Sequence, residues 1–434
     1  MILLTEPAGA PLRGELTPPG DKSISHRALI LGCLAAGESR IRGLLDSEDI
    51  RATAGACRQL GMSMREEAGV FVLHGVGEAG LQAPDAPLDM GNSGTAMRLL
   101  AGVLAAQEFD SVLTGDASLS RRPMRRIVRP LELMGARIET ADGGTPPLRI
   151  TGNPRLSGIE YHSPIASAQV KSCLLLAGLY ASGCTVVREP LKSRDHTERM
   201  LPAFGVSLHG GCGVRGGSRL TGTDLQVPAD ISSAAFLLVA AAMVPGSDLL
   251  LRDVGLNETR DGVLHVLRAM GADLTVHNRR RFGGEEAGDL RLRYAGRLKG
   301  VDIERDRVPS LIDELPVILA LAAVAEGTTR LRGAAELRVK ESDRLAVMGR
   351  GLEALGVRLQ EYDDGMDVEG GAIAAGHVDG AGDHRCAMSF SILGQVAAGP
   401  VSIAGAENID TSYPGFTGDL SSVGGAVAMA GAAE

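Results

Sequence analysis

Apolar and polar positions along this chain fall into a recurring figure. A run with helical period closes on a bulky apolar residue, a glycine follows, and apolar and polar residues then alternate. The figure appears as "QLGMSM" at Gly61, "LMGARIE" at Gly135, "AFGVSLH" at Gly205, "AMGADLTV" at Gly271 and "ALGVRLQ" at Gly356, and more weakly as "VGGAVAM" near Gly424. Glycine just past a helix end predicts a left-handed cap, and alternation after it predicts a strand. The chain therefore reads as six repeats of roughly 70 residues.

Runs such as "VKSCLLLAGLYA" and "AAFLLVAAAM" are hydrophobic nearly all round. Helices of that kind are buried, so the pattern predicts an α/β protein with helices in the core and sheets outside them. A length of 434 residues exceeds one ordinary core, which predicts two domains of three repeats each. The seam falls in "LQVPADISSAAFLLVAAAMV", where Pro228 and Asp230 punctuate the passage from a strand-like run into a helix. The polar, glycine-rich "HNRRRFGGEEAGD" at 277–289 reads as a loop, with Arg279, Arg280 and Arg281 as a solvated charge run.

Composition narrows the function. Apolar residues make up 44% of the chain and charged residues 22%, as in soluble globular proteins, while aromatic residues are only 3% and tryptophan is absent. So few rings leave little for base stacking. A net charge of -9 argues against nucleic acid or an anionic membrane as partner. No stretch reaches the about 18 uninterrupted apolar residues of a membrane span, and the first residues lack the pattern of a signal peptide. Cys33, Cys57, Cys173, Cys184, Cys212 and Cys386 form no CxxC pair and read as small buried residues. A cytoplasmic protein is expected.

Two motifs are set aside. "GVGEAG" at Gly75, Gly77 and Gly80 satisfies GxGxxG, but Pro84 and Pro87 exclude the helix that a dinucleotide fingerprint needs directly after it. His196 and His384 each follow an aspartate, yet lack a second ligand at helical spacing, so local hydrogen bonding is the better reading and no metal is expected.

Candidate chemistry lies at predicted element ends. "PGDKSISHRALI" places Lys22, Ser23 and Arg27 where the positive end of a helix dipole would favour acids, which suggests an anion lies among them. "GNSGTAMR" offers Gly94 and Arg98, "SRRPM" Arg122, "SAQVKS" Ser167, Gln169 and Lys171, and "SRDHTE" Arg194. Further on stand "IDELP" with Asp313 and Glu314, "VKESDR" with Lys340, Glu341 and Arg344, and "GDHRCAMSF" with Arg385. Singly each has a bland reading: Ser167 as a helix cap, and Lys340, Glu341 and Arg344 as an exposed salt-bridged helix face. As a set, cations and a few carboxylates from both halves point to a cleft that neutralises a highly charged small molecule.

These motifs, in this order and over essentially the whole chain, resemble the 5-enolpyruvylshikimate-3-phosphate synthase family. The resemblance implies a two-domain inside-out α/β barrel, each domain three βαβαββ repeats with buried helices and outer sheets. It implies lobes 21–230 and 1–20 plus 231–434, with the active site in the interdomain cleft. The reaction implied joins phosphoenolpyruvate to the 5-hydroxyl of shikimate 3-phosphate and releases phosphate, with no cofactor or metal, in a monomer. Lys22, Ser23, Arg27, Ser167, Gln169, Arg194, Asp313 and Lys340 are the expected shikimate 3-phosphate residues. Lys22, Gly94, Arg122, Gln169, Arg344 and Arg385 are those expected for phosphoenolpyruvate, and Asp313, Glu341 and Lys22 are the catalytic set. The two substrates bring about five to six negative charges, which the motif cations offset in number.

The chain departs from the pattern at Thr411, where some relatives carry a lysine before "YPGF". Gly94 implies open space beside the donor phosphate, hence inhibition by glyphosate. A UDP-N-acetylglucosamine enolpyruvyl transferase would carry Lys-Asn where this chain has Lys22-Ser23.

Overall fold

All six glycines of the repeat, Gly61, Gly135, Gly205, Gly271, Gly356 and Gly424, have φ between 86° and 106°. Only glycine adopts that conformation without steric cost, so each ends a helix, and all but Gly205 turn the chain directly into the next strand; after Gly205 the expected strand is missing and the next begins at Gly213. The computed structural model describes residues 1–77 and 80–430. Gly75 lies in the strand Val70–Val76, whereas positions 78 and 79 of "GVGEAG" lie outside the described residues.

The chain divides into two units. Unit 1 comprises Met1–Pro19, Ala229–Arg280 and Glu286 onward; unit 2 comprises Gly20–Pro228 and Arg281–Glu285. Among the described residues unit 2 holds three sheets. In order across each, their strands are Asp224–Gln226, Ala36–Arg42, Val70–Val76 and Ser63–Glu67; Leu88–Asp89, Ser111–Thr114, Thr145–Thr151 and Arg137–Ala141; and Glu160–His162, Cys184–Arg188 and Gly213–Arg215. In every one the first pair is parallel and the later pairs antiparallel.

Unit 1 repeats the scheme. Arg13–Leu16 runs parallel to Asp248–Gly255, and Gly376–Asp379 parallel to Val401–Ala404, while Asp302 bridges in parallel to Arg330 of the third sheet. The strand Ile2–Thr5 pairs antiparallel with both Val401–Ala404 and Val427–Ala430, which ties the first residues to the last sheet.

The helices are the interior. All thirteen residues of Ile231–Met243 are buried, as are all of His384–Gly394 and Leu315–Ala322. In unit 2, Ile24–Leu34 and Val170–Gly178 are buried without a break. Helices Gly94–Leu104 and Ala168–Gly178 approach so closely that a methyl group on Gly102 would overlap the Cys173 carbonyl oxygen. Among the described residues no helix is long and apolar enough to cross a membrane.

Two local expectations are corrected. The segment 277–289 is not a loop: it forms most of an antiparallel hairpin with arms Asp273–Phe282 and Glu285–Arg293. Arg280 pairs with Asp253 and with the buried Asp289, and the exposed Arg279 with Glu286 at 3.8 Å. The run "KESDR" is not one helical face either. The helix begins at Arg344, capped by Asp343 at the Ala346 N–H, so Lys340 and Glu341 lie in the bend before it. Of the six cysteines, which are all free, Cys184 and Cys212 are only half-buried.

Candidate active site

In unit 2 three helices begin at predicted site residues. Lys22–Leu34 is capped by Asp21, Gly94–Leu104 by Ser93 and Ala168–Gly178 by Ser167, and none carries an acid in its first turn. Only the Gly94 helix start lacks a local carboxylate: Asp21 Oδ1 accepts from the Ile24 N–H at 2.8 Å and Glu189 Oε1 from the Ser167 N–H at 2.7 Å at the other two. Ser167 is thus a cap, as its bland reading held, its Oγ accepting weakly from the Val170 N–H at 3.5 Å.

Gly94, Arg98, Arg122 and Gln169 come together there. Arg98 Nη1 donates to Gln169 Oε1 at 2.6 Å, and Gln169 Nε2 donates to Thr95 Oγ1 at 2.9 Å. Arg122 Nη2 donates to Asn92 Oδ1 at 2.5 Å. The space over Gly94 is not open: a Cβ there would lie 2.9 Å from Arg98 Nη1 and 3.3 Å from Arg122 Nη1, because two guanidinium groups converge on that helix start.

Lys22 pairs with Asp49 at 2.5 Å, a residue in the first turn of the helix Glu48–Gln59 that sequence reasoning did not single out. Arg27 is different. It is 4% exposed, and its guanidinium donates to Thr197 Oγ1, the Ser23 carbonyl and Ser172 Oγ at 2.7–2.8 Å, all neutral oxygens. Among the described residues it makes no ion pair, and burial pulls its pKa down to about 10. Glu198, Asp21 and Glu285 act on it attractively without pairing, while Arg194, half-buried three residues before Thr197, adds repulsive charge. Lys171 takes no such role; buried between Glu189 at 2.8 Å and Glu198 at 2.9 Å, it is held protonated by those two acids in spite of burial.

In unit 1 the predicted residues form one network. Asp313 sits in the turn between Val308–Leu311 and Leu315–Ala322. Its Oδ1 accepts from Arg344 Nη1 at 3.3 Å and faces Lys340 Nζ at 3.7 Å, while its carbonyl accepts from Arg385 Nη1 at 3.2 Å. Arg344, 1% exposed, also bonds Glu341 Oε2 at 2.5 Å and Asp383 Oδ2 at 2.8 Å. Burial opposes its charge, but Asp383, Glu341 and Asp313 outweigh that and hold its pKa well above the ordinary value. Asp383 was missed by sequence reasoning; it caps the helix His384–Gly394 and serves Arg344 with its other oxygen. Arg385, 8% exposed, makes no ion pair among the described residues.

His196 bonds Glu285 at 2.7 Å and His384 bonds Thr411 at 3.3 Å. Thr411 also donates to the Asn408 carbonyl at 2.7 Å. Among the described residues no group of three or more His, Cys, Asp or Glu is arranged to hold a metal ion.

Buried arginines at helix starts, with carboxylates beside some of them, define an enzyme built around anionic small molecules. A family model described as EPSP synthase (3-phosphoshikimate 1-carboxyvinyltransferase) matches residues 7–420, and the chain belongs to that family. It is 56% identical to the 3-phosphoshikimate 1-carboxyvinyltransferase of Xanthomonas campestris pv. campestris strain B100 over 412 residues, 94% of each chain. It is also 56% identical to the protein of that name from Xylella fastidiosa strain Temecula1 over 414 residues, 94% of this chain and 90% of the other. A solved structure of EPSP synthase from Acinetobacter baumannii superposes with a TM-score of 0.87 at 49% identity, covering 98% of this chain and 99% of the other.

Proposed function

We propose that this enzyme transfers the enolpyruvyl group of phosphoenolpyruvate to the 5-hydroxyl of shikimate 3-phosphate and releases phosphate, by addition and elimination through a tetrahedral intermediate. One observation carries the reading beyond family membership. Arg27 in unit 2 and Arg385 in unit 1 are buried cations with only neutral oxygens as partners. Burying a cation without a direct ion-pair partner is costly, so both sites are suited to anions that arrive with substrate.

In addition, the hydroxyl oxygen bonds to the central carbon of phosphoenolpyruvate, its proton leaves to a base, and a proton is delivered to the methylene carbon. Elimination expels phosphate from the central carbon and returns a methyl proton to the enzyme. Asp313, whose carboxylate faces Lys340 and Arg344, serves in this reading as the base for the hydroxyl. Glu341, half-buried beside Arg344, exchanges the proton at carbon, with Lys22 supporting that exchange and stabilising the departing phosphate. Ser23, Arg27, Ser167, Gln169, Arg194, Asp313, Lys340 and Lys22 bind shikimate 3-phosphate; Lys22, Gly94, Arg122, Gln169, Arg344 and Arg385 bind phosphoenolpyruvate. Each of the two sets draws on residues of unit 1 and of unit 2. It further takes the protein to act as a cytoplasmic monomer without cofactor, in keeping with its free thiols.

The test is phosphate release from phosphoenolpyruvate with shikimate 3-phosphate or UDP-N-acetylglucosamine as acceptor, repeated with Lys22→Ala. Turnover only with shikimate 3-phosphate, lost in the variant, is expected. Turnover with the sugar nucleotide, or calorimetric binding of both substrates without phosphate release, would sink the proposal. Light scattering checks the monomer.

A further inference from the structure

Glu189 follows the strand Cys184–Arg188 in unit 2, and its side chain is only 6% exposed. Its Oε1 accepts from the Ser167 backbone N–H at 2.7 Å and from Ser193 Oγ at 2.7 Å. Its Oε2 faces Ser193 Oγ at 2.8 Å, the Ser193 backbone N–H at 3.3 Å and Lys171 Nζ at 2.8 Å. One carboxylate thus joins two separate pieces of chain: the start of the helix Ala168–Gly178, with Ser167 and Gln169, and the loop that carries Arg194 next to Ser193.

An acid so close to groups that await a phosphate would repel it if its charge were exposed. Here the acceptor positions are occupied from within, and Lys171 compensates the charge. A buried ion pair is also a poor device for stability, since apolar residues of the same volume commonly do as well. What Glu189 supplies that an apolar residue cannot is a fixed distance between Ser167 and Ser193.

We propose that Glu189 is a positioning residue for shikimate 3-phosphate, acting through Ser167 and through Ser193 and its neighbour Arg194; this rests on the function proposed above. Glu198 is the natural comparison. It holds the same Lys171 at 2.9 Å but bonds neither serine, and loss of its charge near Arg27 gives no reason for weaker anion binding.

The experiment compares Glu189→Gln and Glu198→Gln for KM toward each substrate in phosphate release, and for Tm. Glu189→Gln is expected to raise the KM for shikimate 3-phosphate about 10- to 100-fold, the loss of hydrogen bonds to a charged group, with the KM for phosphoenolpyruvate within about 3-fold. Glu198→Gln is expected to lower Tm comparably without raising either KM. Equal KM shifts in both variants, or a Glu189→Gln enzyme with wild-type KM values and only a lower Tm, would overturn the assignment. Should Glu189→Gln not fold, Glu189→Asp keeps the charge but withdraws it by one methylene; an unchanged KM for shikimate 3-phosphate there overturns it equally. A wild-type chain that turns over no shikimate 3-phosphate overturns the function and this assignment together, and that result is read before any variant is compared.

Discussion

Arg344 reaches Asp313 with Nη1 at 3.3 Å while its other two nitrogens are committed to Asp383 and Glu341. The guanidinium fork fixes three carboxylates from three segments in one plane of donors, which a point charge cannot do. Arg344→Lys is therefore expected to satisfy at most one of them. Loss of a buried partner predicts about 3 kcal/mol of destabilisation and a fall in kcat/KM of at least about 100-fold. Chemical denaturation and steady-state kinetics on the variant check both; a stability within about 0.5 kcal/mol of wild type would show that the network is not built on this residue.

Arg27 predicts the opposite sign for stability. Removing it leaves Ser172 and Thr197 bonded to each other at 2.7 Å, so no buried oxygen in that pair is orphaned. Arg27→Met is expected to leave the free protein as stable as wild type or to stabilise it by about 1 kcal/mol or more, because a buried cation without a direct ion pair disappears. Affinity for shikimate 3-phosphate is expected to fall by at least about 100-fold. Thermal melts with and without that ligand measure both effects, and a variant that loses stability while keeping the ligand's stabilisation contradicts the role.

At Gly94 the two guanidinium groups of Arg98 and Arg122 occupy the space into which a methyl would point. They are flexible side-chain ends, so Gly94→Ala is expected to fold with a Tm close to wild type but with both arginines displaced. Glyphosate inhibition should weaken, and the KM for phosphoenolpyruvate should rise with it, about 10-fold each. Inhibition curves at several phosphoenolpyruvate concentrations decide the matter; an inhibitor constant unchanged in the variant removes Gly94 from the donor site.

His26 gives a pH dependence. Its Nδ1 bonds Thr53 Oγ1 at 2.7 Å and its Nε2 faces Ser93 Oγ, the cap of the Gly94 helix, at 3.4 Å. Burial first, then Lys22 and Arg27, hold its pKa well below 6.5. The folded state therefore binds fewer protons than the unfolded state below about pH 6.5, and stability present above that pH is lost as pH falls toward the folded value. Unfolding free energies from pH 8 to 5 should decline in the wild type and less steeply in His26→Asn. Parallel slopes would remove His26 as a source of the decline.

Much of the architecture was written in local pattern. Six glycines at helix ends, all with positive φ, and helices apolar all round reported six repeats with helices inside, because backbone sterics and hydrophobic burial act over a few residues. The motifs likewise pointed to Lys22, Arg27, Asp313 and Arg344. Pattern failed where charge was at issue. The hairpin at 273–293 looked like a loop because its polar side chains find partners only across the sheet, as Arg280 does with Asp253 and Asp289. Nothing local distinguished Arg27, left without an ion pair, from Arg344, given three, or marked Asp49, Glu189 and Asp383 as partners. A helix cap or a buried face depends on neighbours in the chain, whereas the state of a buried ion depends on desolvation and on charges brought from distant segments, and only folding decides which those are.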